Sequence, residues 1–378
     1  MIFEKSDRFP NEFMFHEGVC VSLYQKTHRH SPDNKKDSLM FKNLVKEIKK
    51  KFEEQFPDIN TEEMFAKFKE LEEDNLFWKD TKDGLAILAT AEEMKLFILE
   101  EEVETNTYVS NRFYVLPLIE YFQTAREYFL LALNSKDYTL YKCNKAEINE
   151  VEIPEDEPKT LEEVLGEEHD ENYLTHGTYA GSEKNIFHGH GGEKDDSDVD
   201  LKRYFRFVSK YIEDNYLNEN KLPLILVALK EHQGMFKKVT EQPYWVETID
   251  ISFNNNKKYE IHKQANDIII QIHKQKLQDS LEAFGNAEAK NMATEFLSEI
   301  AKATYESRVD TLFIQKGLKK PGYFDYKTGE MQYGDNKDYN NDIIDDIAKY
   351  VLNKNGKVFI VEEEMMPNSS GVCAIYRY

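Results

Sequence analysis

The chain has 378 residues, of which 40% are hydrophobic and 13% aromatic, and a formal net charge of −22. The apolar content argues against a disordered chain, and the length predicts two or three domains. The acidic balance disfavours broad attachment to nucleic acid or anionic membranes, so any contact with RNA requires a local basic patch. The three cysteines form no CxxC pair, and they indicate neither a disulfide framework nor a zinc site. With no signal-peptide pattern and no apolar run of about 18 residues, the sequence predicts a cytoplasmic protein that does not contact a membrane.

The first predicted domain is an α/β unit at residues 1–106. A short apolar strand at 19–24 is followed by a helix whose apolar residues recur at helical spacing from Phe41 to Phe52. The lysines on the other side of this helix are interpreted as a solvated face. The runs 85–90 and 95–99 are typical of paired strands.

The second predicted domain covers residues 107–221. The nearly continuous apolar run 128–133 indicates a buried strand, and 138–142 is its returning partner. An acidic, turn-rich segment follows at 151–185. It leads into a glycine-rich tip and then into an amphipathic helix with one apolar face, formed by Leu201, Phe205, Val208, Ile212 and Tyr216.

The third predicted domain covers residues 222–378. It opens on the buried strand 224–229 and continues with a long helical region at about 258–306, which we expect to break around Gly285. Further strands and one helix alternate to the end of the chain. Together the pattern predicts an α/β protein of three domains, each a mixed sheet with packed helices.

The glycine-rich tip is the segment His188-Gly189-His190-Gly191-Gly192-Glu193. Three glycines within five positions leave the backbone nearly unrestrained. Such a tip, mounted on a helix, suits insertion into another molecule. Its backbone N–H groups could stabilise an oxyanion at an external reaction centre.

Basic residues follow the tip on the amphipathic helix. Lys202, Arg206 and Lys210 are spaced four apart, and Arg203 lies beside them. In so acidic a chain, these four residues are the best local candidate for contacts with RNA phosphates. The acids between Asp195 and Asp200 are interpreted as capping the helix and complementing its positive end.

Two other functions remain open for the same residues. In the first, His188 and His190 ligate a metal together with nearby carboxylates in a stand-alone hydrolase, although an i, i+2 pair on a glycine-rich chain is not preorganised. Alternatively, the basic helix belongs to an RNA-binding module without chemistry. We predict no cofactor and no resident metal.

The order of these motifs carries a resemblance that spans nearly the whole chain. The His-Gly-His-Gly-Gly-Glu loop and its basic helix resemble the His-Gly-Arg-Gly-Gly-Gln loop and helix of archaeal and eukaryotic class-one peptide-chain release factors. The stretches 21–24, 27–29, 41–44, 308–314 and 374–378 resemble the bacterial branch of that superfamily, which is related to Pelota. No Asn-Ile-Lys-Ser signature for stop-codon reading is present in the first domain.

The resemblance implies a ribosome-associated translation factor that contacts rRNA and tRNA rather than DNA. Its loop would enter the peptidyl transferase centre and promote codon-independent peptidyl-tRNA hydrolysis, ribosome rescue or dormancy. Gly191, Gly192 and Glu193 match the catalytic Gly-Gly-Gln positions. The third domain is implied to be similar to a ribosomal L30-type α/β/α sandwich.

Overall fold

The structure is a computed structural model that describes residues 4–5, 9–16, 18–124, 127–145, 147–166, 192–334 and 341–378. Contacts divide the chain into two compact units. Unit 1 combines Met1–Thr124 with His273–Tyr378, and unit 2 is Ala125–Ile272. Both units are mixed α/β, which confirms the predicted fold class.

The N-terminal part of unit 1 is a five-stranded sheet, whose strands lie in the spatial order 4–5, 94–99, 84–89, 20–26 and 106–110. Its apolar runs alternate between two cores: Leu85 and Ile87 of one strand face the first core, whereas Ala86 and Leu88 face the second. The first core is covered by the helix that carries Phe41. The strands and helices are β1 Glu4–Lys5, β2 Cys20–Lys26, α1 Asp37–Gln55, α2 Glu62–Glu73, α3 Asn75–Lys79, β3 Gly84–Ala89, β4 Met94–Leu99, β5 Asn106–Ser110 and α4 Leu116–Thr124.

Unit 2 is built on a second five-stranded sheet, whose strands lie in the spatial order 245–249, 224–227, 128–133, 138–143 and 148–150. The predicted strand pair 128–133 and 138–142 is confirmed as the antiparallel pair β6 and β7. The elements are β6 Tyr128–Leu133, β7 Tyr138–Cys143, β8 Ile148–Glu150, α5 Leu161–Leu165, α6 Gly192–Ile212, β9 Leu224–Val227, α7 Lys230–Val239 and β10 Trp245–Ile249.

Helices cover both faces of the unit 2 sheet, which explains why β6 is apolar at nearly every position. Phe129 and Leu131 face α6 and α7. Tyr128 and Leu130 face the first part of α8, Lys258–Glu288. The strand β9, with which the predicted third domain begins, pairs in parallel with β6 and β10. The three-domain division, with boundaries after residues 106 and 221, stays a prediction.

The helix α8 does not break around Gly285, although the sequence predicts that it should. It continues through Gly285 without a break and ends at Glu288. A glycine inside a helix costs only about 1 kcal/mol relative to alanine, and burial of Phe284 beside it against Phe313 stabilises this turn.

The C-terminal part of unit 1 is a four-stranded sheet, whose strands lie in the spatial order 293–294, 372–376, 309–315 and 357–361, with a separate two-stranded hairpin. Leu312 faces the core formed with two helices, whereas Phe313 on the other face packs with the end of α8. The result is an α/β/α sandwich, and its likeness to L30 stays a prediction. The elements are β11 Ala293–Thr294, α9 Leu297–Tyr305, β12 Val309–Gln315, β13 Gly322–Phe324, β14 Met331–Tyr333, α10 Ile343–Asn353, β15 Lys357–Val361 and β16 Val372–Tyr376.

A buried ionic network joins α10 to the segment after β5. The Lys349 ammonium contacts Asp345 at 2.9 Å and Asp346 at 3.0 Å, and it donates to the Phe113 carbonyl at 2.9 Å. Arg112 reaches the other side of Asp346 at 2.7 Å. Although burial alone would lower the pKa of Lys349, the two carboxylates raise it above its ordinary value. The ammonium therefore stays charged inside the core.

We expect the stability of unit 1 to depend on the titration of Asp342, the N-cap of α10. Burial and the nearby Asp345 raise the pKa of Asp342 to about 7, although backbone N–H groups of Lys320 and Ile344 oppose this shift. Between pH about 4 and 7 the folded state then binds more protons than the unfolded state, so this contribution to stability falls as pH rises. The slope for one group is at most about 1.4 kcal/mol per pH unit.

The measurement is urea unfolding of wild type and Asp342→Asn at pH 5, 6 and 7. Asparagine keeps a capping oxygen but does not titrate. The stability of wild type relative to the variant should therefore decline over this range. If the free energies of unfolding of the two proteins instead change in parallel with pH, the pKa of Asp342 is ordinary.

Candidate nucleic-acid interface

The glycine-rich tip lies almost wholly outside the described residues. Its first four positions, His188, Gly189, His190 and Gly191, fall there. Gly192 and Glu193 form the beginning of α6. The sequence interpretation places the acids from Asp195 to Asp200 as a cap before the helix, whereas the structure places them within its first three turns. Asp198 and Asp200 lie beyond the first turn, where the electrostatic effect of the helix end has decayed.

Helix α6 is fixed on the unit 2 sheet by its apolar face. Phe205, Val208 and Ile212 are fully buried, as the helical spacing predicts. Phe205 also contacts α7 edge-on, with its ring 6.1 Å from Phe236. Ser209, on the rim of this face, accepts a hydrogen bond from Gln242. Because one face is anchored in this way, the opposite face is presented to solvent.

The predicted basic residues occupy that outer face. Arg203, Arg206 and Lys210 are exposed, and Lys202 is half-buried. Within the described part of the chain, no ion pair joins Arg206 or Lys210 to an acidic side chain. This lack of local neutralisation leaves both cations available to an anionic partner.

The basic face is short. It runs from Lys202 to Lys210, about 12 Å along the axis at 1.5 Å per residue. Asp200 precedes it, and Glu213 and Asp214 follow it in a π-helical turn. Such a length suits two or three phosphate contacts, which is a modest electrostatic anchor.

The neighbouring helix α7 carries basic residues that sequence reasoning did not select. Lys230, Lys237 and Lys238 are exposed, and α7 packs beside α6 through Phe236. The pair Lys237-Lys238 is visible in the sequence. Its position next to α6 is not, because it follows from the packing of two segments separated by β9.

Sequence reasoning also missed the carboxylates that hold the loop after β2. The His28 ring contacts the buried Asp37 at 2.8 Å, and Asp37 also accepts a hydrogen bond from the His28 backbone N–H. Arg29 donates two hydrogen bonds to Asp83, at 2.8 and 2.6 Å. No local sequence pattern predicts the ion pair between Arg29 and Asp83, because the two residues lie 54 positions apart. This polar loop is therefore fixed on unit 1.

Among the described residues, no three His, Cys, Asp or Glu side chains are arranged to hold a metal ion. This finding does not bear on His188 and His190, which lie outside those residues. Across the same described portion, none of the helices combines the length and apolar character needed to cross a membrane.

The comparison with protein families identifies the class of the segment that carries this interface. Residues 126–271, which nearly coincide with unit 2, match a family of release factor-like proteins. This confirms the resemblance to the Pelota-related branch of the release factor superfamily. The matching family is the bacterial archaeo-eukaryotic release factor family 6. A comparison with curated protein sequences gives no significant match.

Three solved structures are similar over much of the chain, at low identity. The termination-like factor Dom34 of S. cerevisiae is 11% identical, with 78% of this chain and 79% of that chain covered and a TM-score of 0.39. A model of ribosome-bound archaeal Pelota with ABCE1 is 10% identical, with 97% and 92% covered and a TM-score of 0.40. The archaeal termination factor aRF1 is 12% identical, with 97% and 95% covered and a TM-score of 0.23.

Proposed function

We propose that the protein is a ribosome-associated factor that delivers the 188–193 loop to the peptidyl transferase centre. The family match over residues 126–271 carries this proposal, because the matched segment contains both the loop and α6. The task at that centre is codon-independent release of the peptide, in ribosome rescue, or occupation of the site, in dormancy. The partners are then rRNA and tRNA, and the location is cytoplasmic.

The charge distribution supports this proposal. A chain with a net charge of −22 needs a concentrated cationic surface to approach RNA. The outer face of α6 supplies one, since Arg206 and Lys210 are exposed and α6 is anchored through its opposite face. Phosphate contacts made by these residues would orient α6 and, through it, the loop.

The chemistry of the loop rests on the backbone and on one side chain. Gly191 and Gly192 let the backbone approach a reacting ester closely. The backbone N–H of Glu193 is the group that we assign to the oxyanion or the leaving oxygen. The Glu193 carboxylate accepts hydrogen bonds but cannot donate them when ionised.

We expect the double substitution Arg206→Glu/Lys210→Glu to weaken binding to intact ribosomes by at least 10-fold in low salt. Each reversal removes a phosphate contact and introduces repulsion. The measurement is co-sedimentation of the protein with purified ribosomes at several salt concentrations. For two or three phosphate contacts, the logarithm of the binding constant should fall with the logarithm of salt concentration at a slope of about −2 to −3.

The matched control is Lys46→Glu/Lys49→Glu, which makes the same change in charge on exposed lysines of α1. Equal losses of ribosome affinity in the two variants would show that net charge alone governs binding and that α6 is not the interface. Wild-type protein that stays in the supernatant with active, stalled and starved ribosomes alike would contradict the proposal. If α6-dependent binding to free RNA persists without ribosomes, an RNA-binding module is the better description.

A further inference from the structure

A cleft of about 150 Å³ lies within unit 1. Its walls come from the acidic segment between β4 and β5, from α4 and from the turn after β12. This volume suits a ligand of roughly the size of an amino-acid side chain, well below the usual range of drug-sized pockets. The proposed function makes no use of this cleft.

The lining of the cleft is predominantly anionic. Four carboxylates, Glu101, Glu102, Glu104 and Glu120, stand against two ammonium groups. One of these, Lys316, contacts Glu120 at 2.9 Å and is thereby neutralised. The exposed Glu104 lies at the mouth of the cleft. The second ammonium group, Lys319, donates to the neutral hydroxyl of Tyr108 at 3.0 Å.

Aromatic rings form one wall. Tyr108 and Tyr114 are stacked, with centroids 4.2 Å apart and an interplanar angle of 24°. The Lys319 ammonium lies 5.4 Å from the first ring centroid and 6.0 Å from the second. The protein's own cation therefore already uses this wall through cation–π attraction.

We propose that the cleft binds an alkylammonium or guanidinium group, which lies against the tyrosine pair with Glu104 as its counter-charge. Both chemical features of the site favour a cation, because stacked tyrosines attract positive charge and carboxylates pair with it. An anionic ligand would have Lys319 as its cationic contact and would face the carboxylate of Glu104, since Glu102 is paired with Lys26 at 2.7 Å and Glu120 with Lys316. Two sources supply such a group, a free amine and a lysine or arginine side chain of a partner protein, and the titrations below distinguish them.

Lys319 makes the proposal sharply testable. It competes with an incoming cation for the same rings, whereas it would be the principal contact of an anion. The change Lys319→Met is therefore expected to tighten binding of 1,4-diaminobutane by about 3- to 10-fold, within the range of an exposed cation–π contact. Glu104→Gln should weaken it by about 5- to 10-fold through loss of the counter-charge.

The experiment is calorimetric titration of the full chain with three compounds. They are 1,4-diaminobutane, Nα-acetyl-lysine N-methylamide, whose side-chain ammonium is free, and the dianion glutarate. Preference for the diamine indicates a free amine, and preference for the lysine derivative indicates a partner's side chain. Glu155→Gln, an exposed acid of unit 2, is the control and should leave all three titrations unchanged. Thermal unfolding of each variant verifies its fold, and Glu104→Gln decides the matter if Lys319→Met is unstable. The proposal is overturned if neither amine binds, or if Glu104→Gln binds the amines as tightly as wild type. It is also overturned if glutarate binds to wild type and this binding disappears in Lys319→Met.

Discussion

Lys349→Met is expected to lower the free energy of unfolding by about 3–5 kcal/mol, the usual cost of removing one partner from a buried ion pair. Lys349 is only 3% exposed in its side chain, and so is Asp345. Methionine fills a similar volume but leaves Asp345 without its cation in a dry core. Asp345 still accepts hydrogen bonds from the Val115 and Leu116 backbone N–H groups, at 2.7 and 2.8 Å, which do not replace a full charge.

Equilibrium unfolding in urea, followed by circular dichroism, measures this loss. Lys302→Met on the exposed surface of α9 is the matched control and should change stability by less than about 0.5 kcal/mol. The double substitution Asp345→Asn/Lys349→Met should recover part of the loss, because the uncompensated charge is removed with its partner. A single variant as stable as the control would contradict a stabilising role for the network.

The contrast between this network and β6 shows what the sequence encodes locally. The run Tyr128–Leu133 is apolar at every position, so a strand buried on both faces is the simplest prediction, and it is confirmed. The acids Asp345 and Asp346 lie in an apolar run on α10, where a local pattern predicts exposure. Their burial depends on Arg112 and on backbone groups about 230 residues away in sequence, and no local pattern contains that information.

The same distinction applies to the candidate interface. Helical spacing alone predicts that Phe205 and Val208 point inward and Arg206 outward, as the structure shows. The lysines of α7 are brought beside α6 by the tertiary packing of Phe236 on Phe205. The cleft in unit 1 cannot be predicted from the sequence either, because its walls come from segments about 200 residues apart.

The identity of residue 193 defines the largest functional effect that we expect. The resembling release factors have glutamine at this position, which both donates and accepts hydrogen bonds. An ionised glutamate lacks the donor and adds negative charge where an oxyanion develops. A single well-placed donor in such a site is worth about 10²–10³-fold in rate.

Glu193→Gln is therefore expected to raise peptidyl-tRNA hydrolysis on ribosomes by on the order of 10²-fold. The measurement is release of labelled peptide from ribosomes carrying peptidyl-tRNA, at saturating protein and in parallel with co-sedimentation. Gly192→Ala in the Glu193→Gln background should abolish the gain, because a side chain there hinders close approach of the backbone. Glu157→Gln is the control for loss of one negative charge.

Each result assigns a role to the natural glutamate. If wild type is inert and Glu193→Gln is active, the loop is built to occupy the centre, and its carboxylate prevents release. If wild type is active and Glu193→Gln is slower, the carboxylate acts as a general base on water, which requires a raised pKa in the centre. If both proteins bind but neither releases peptide, the backbone N–H of Glu193 does not reach the ester, and the hydrolytic part of the proposal fails while ribosome association stands.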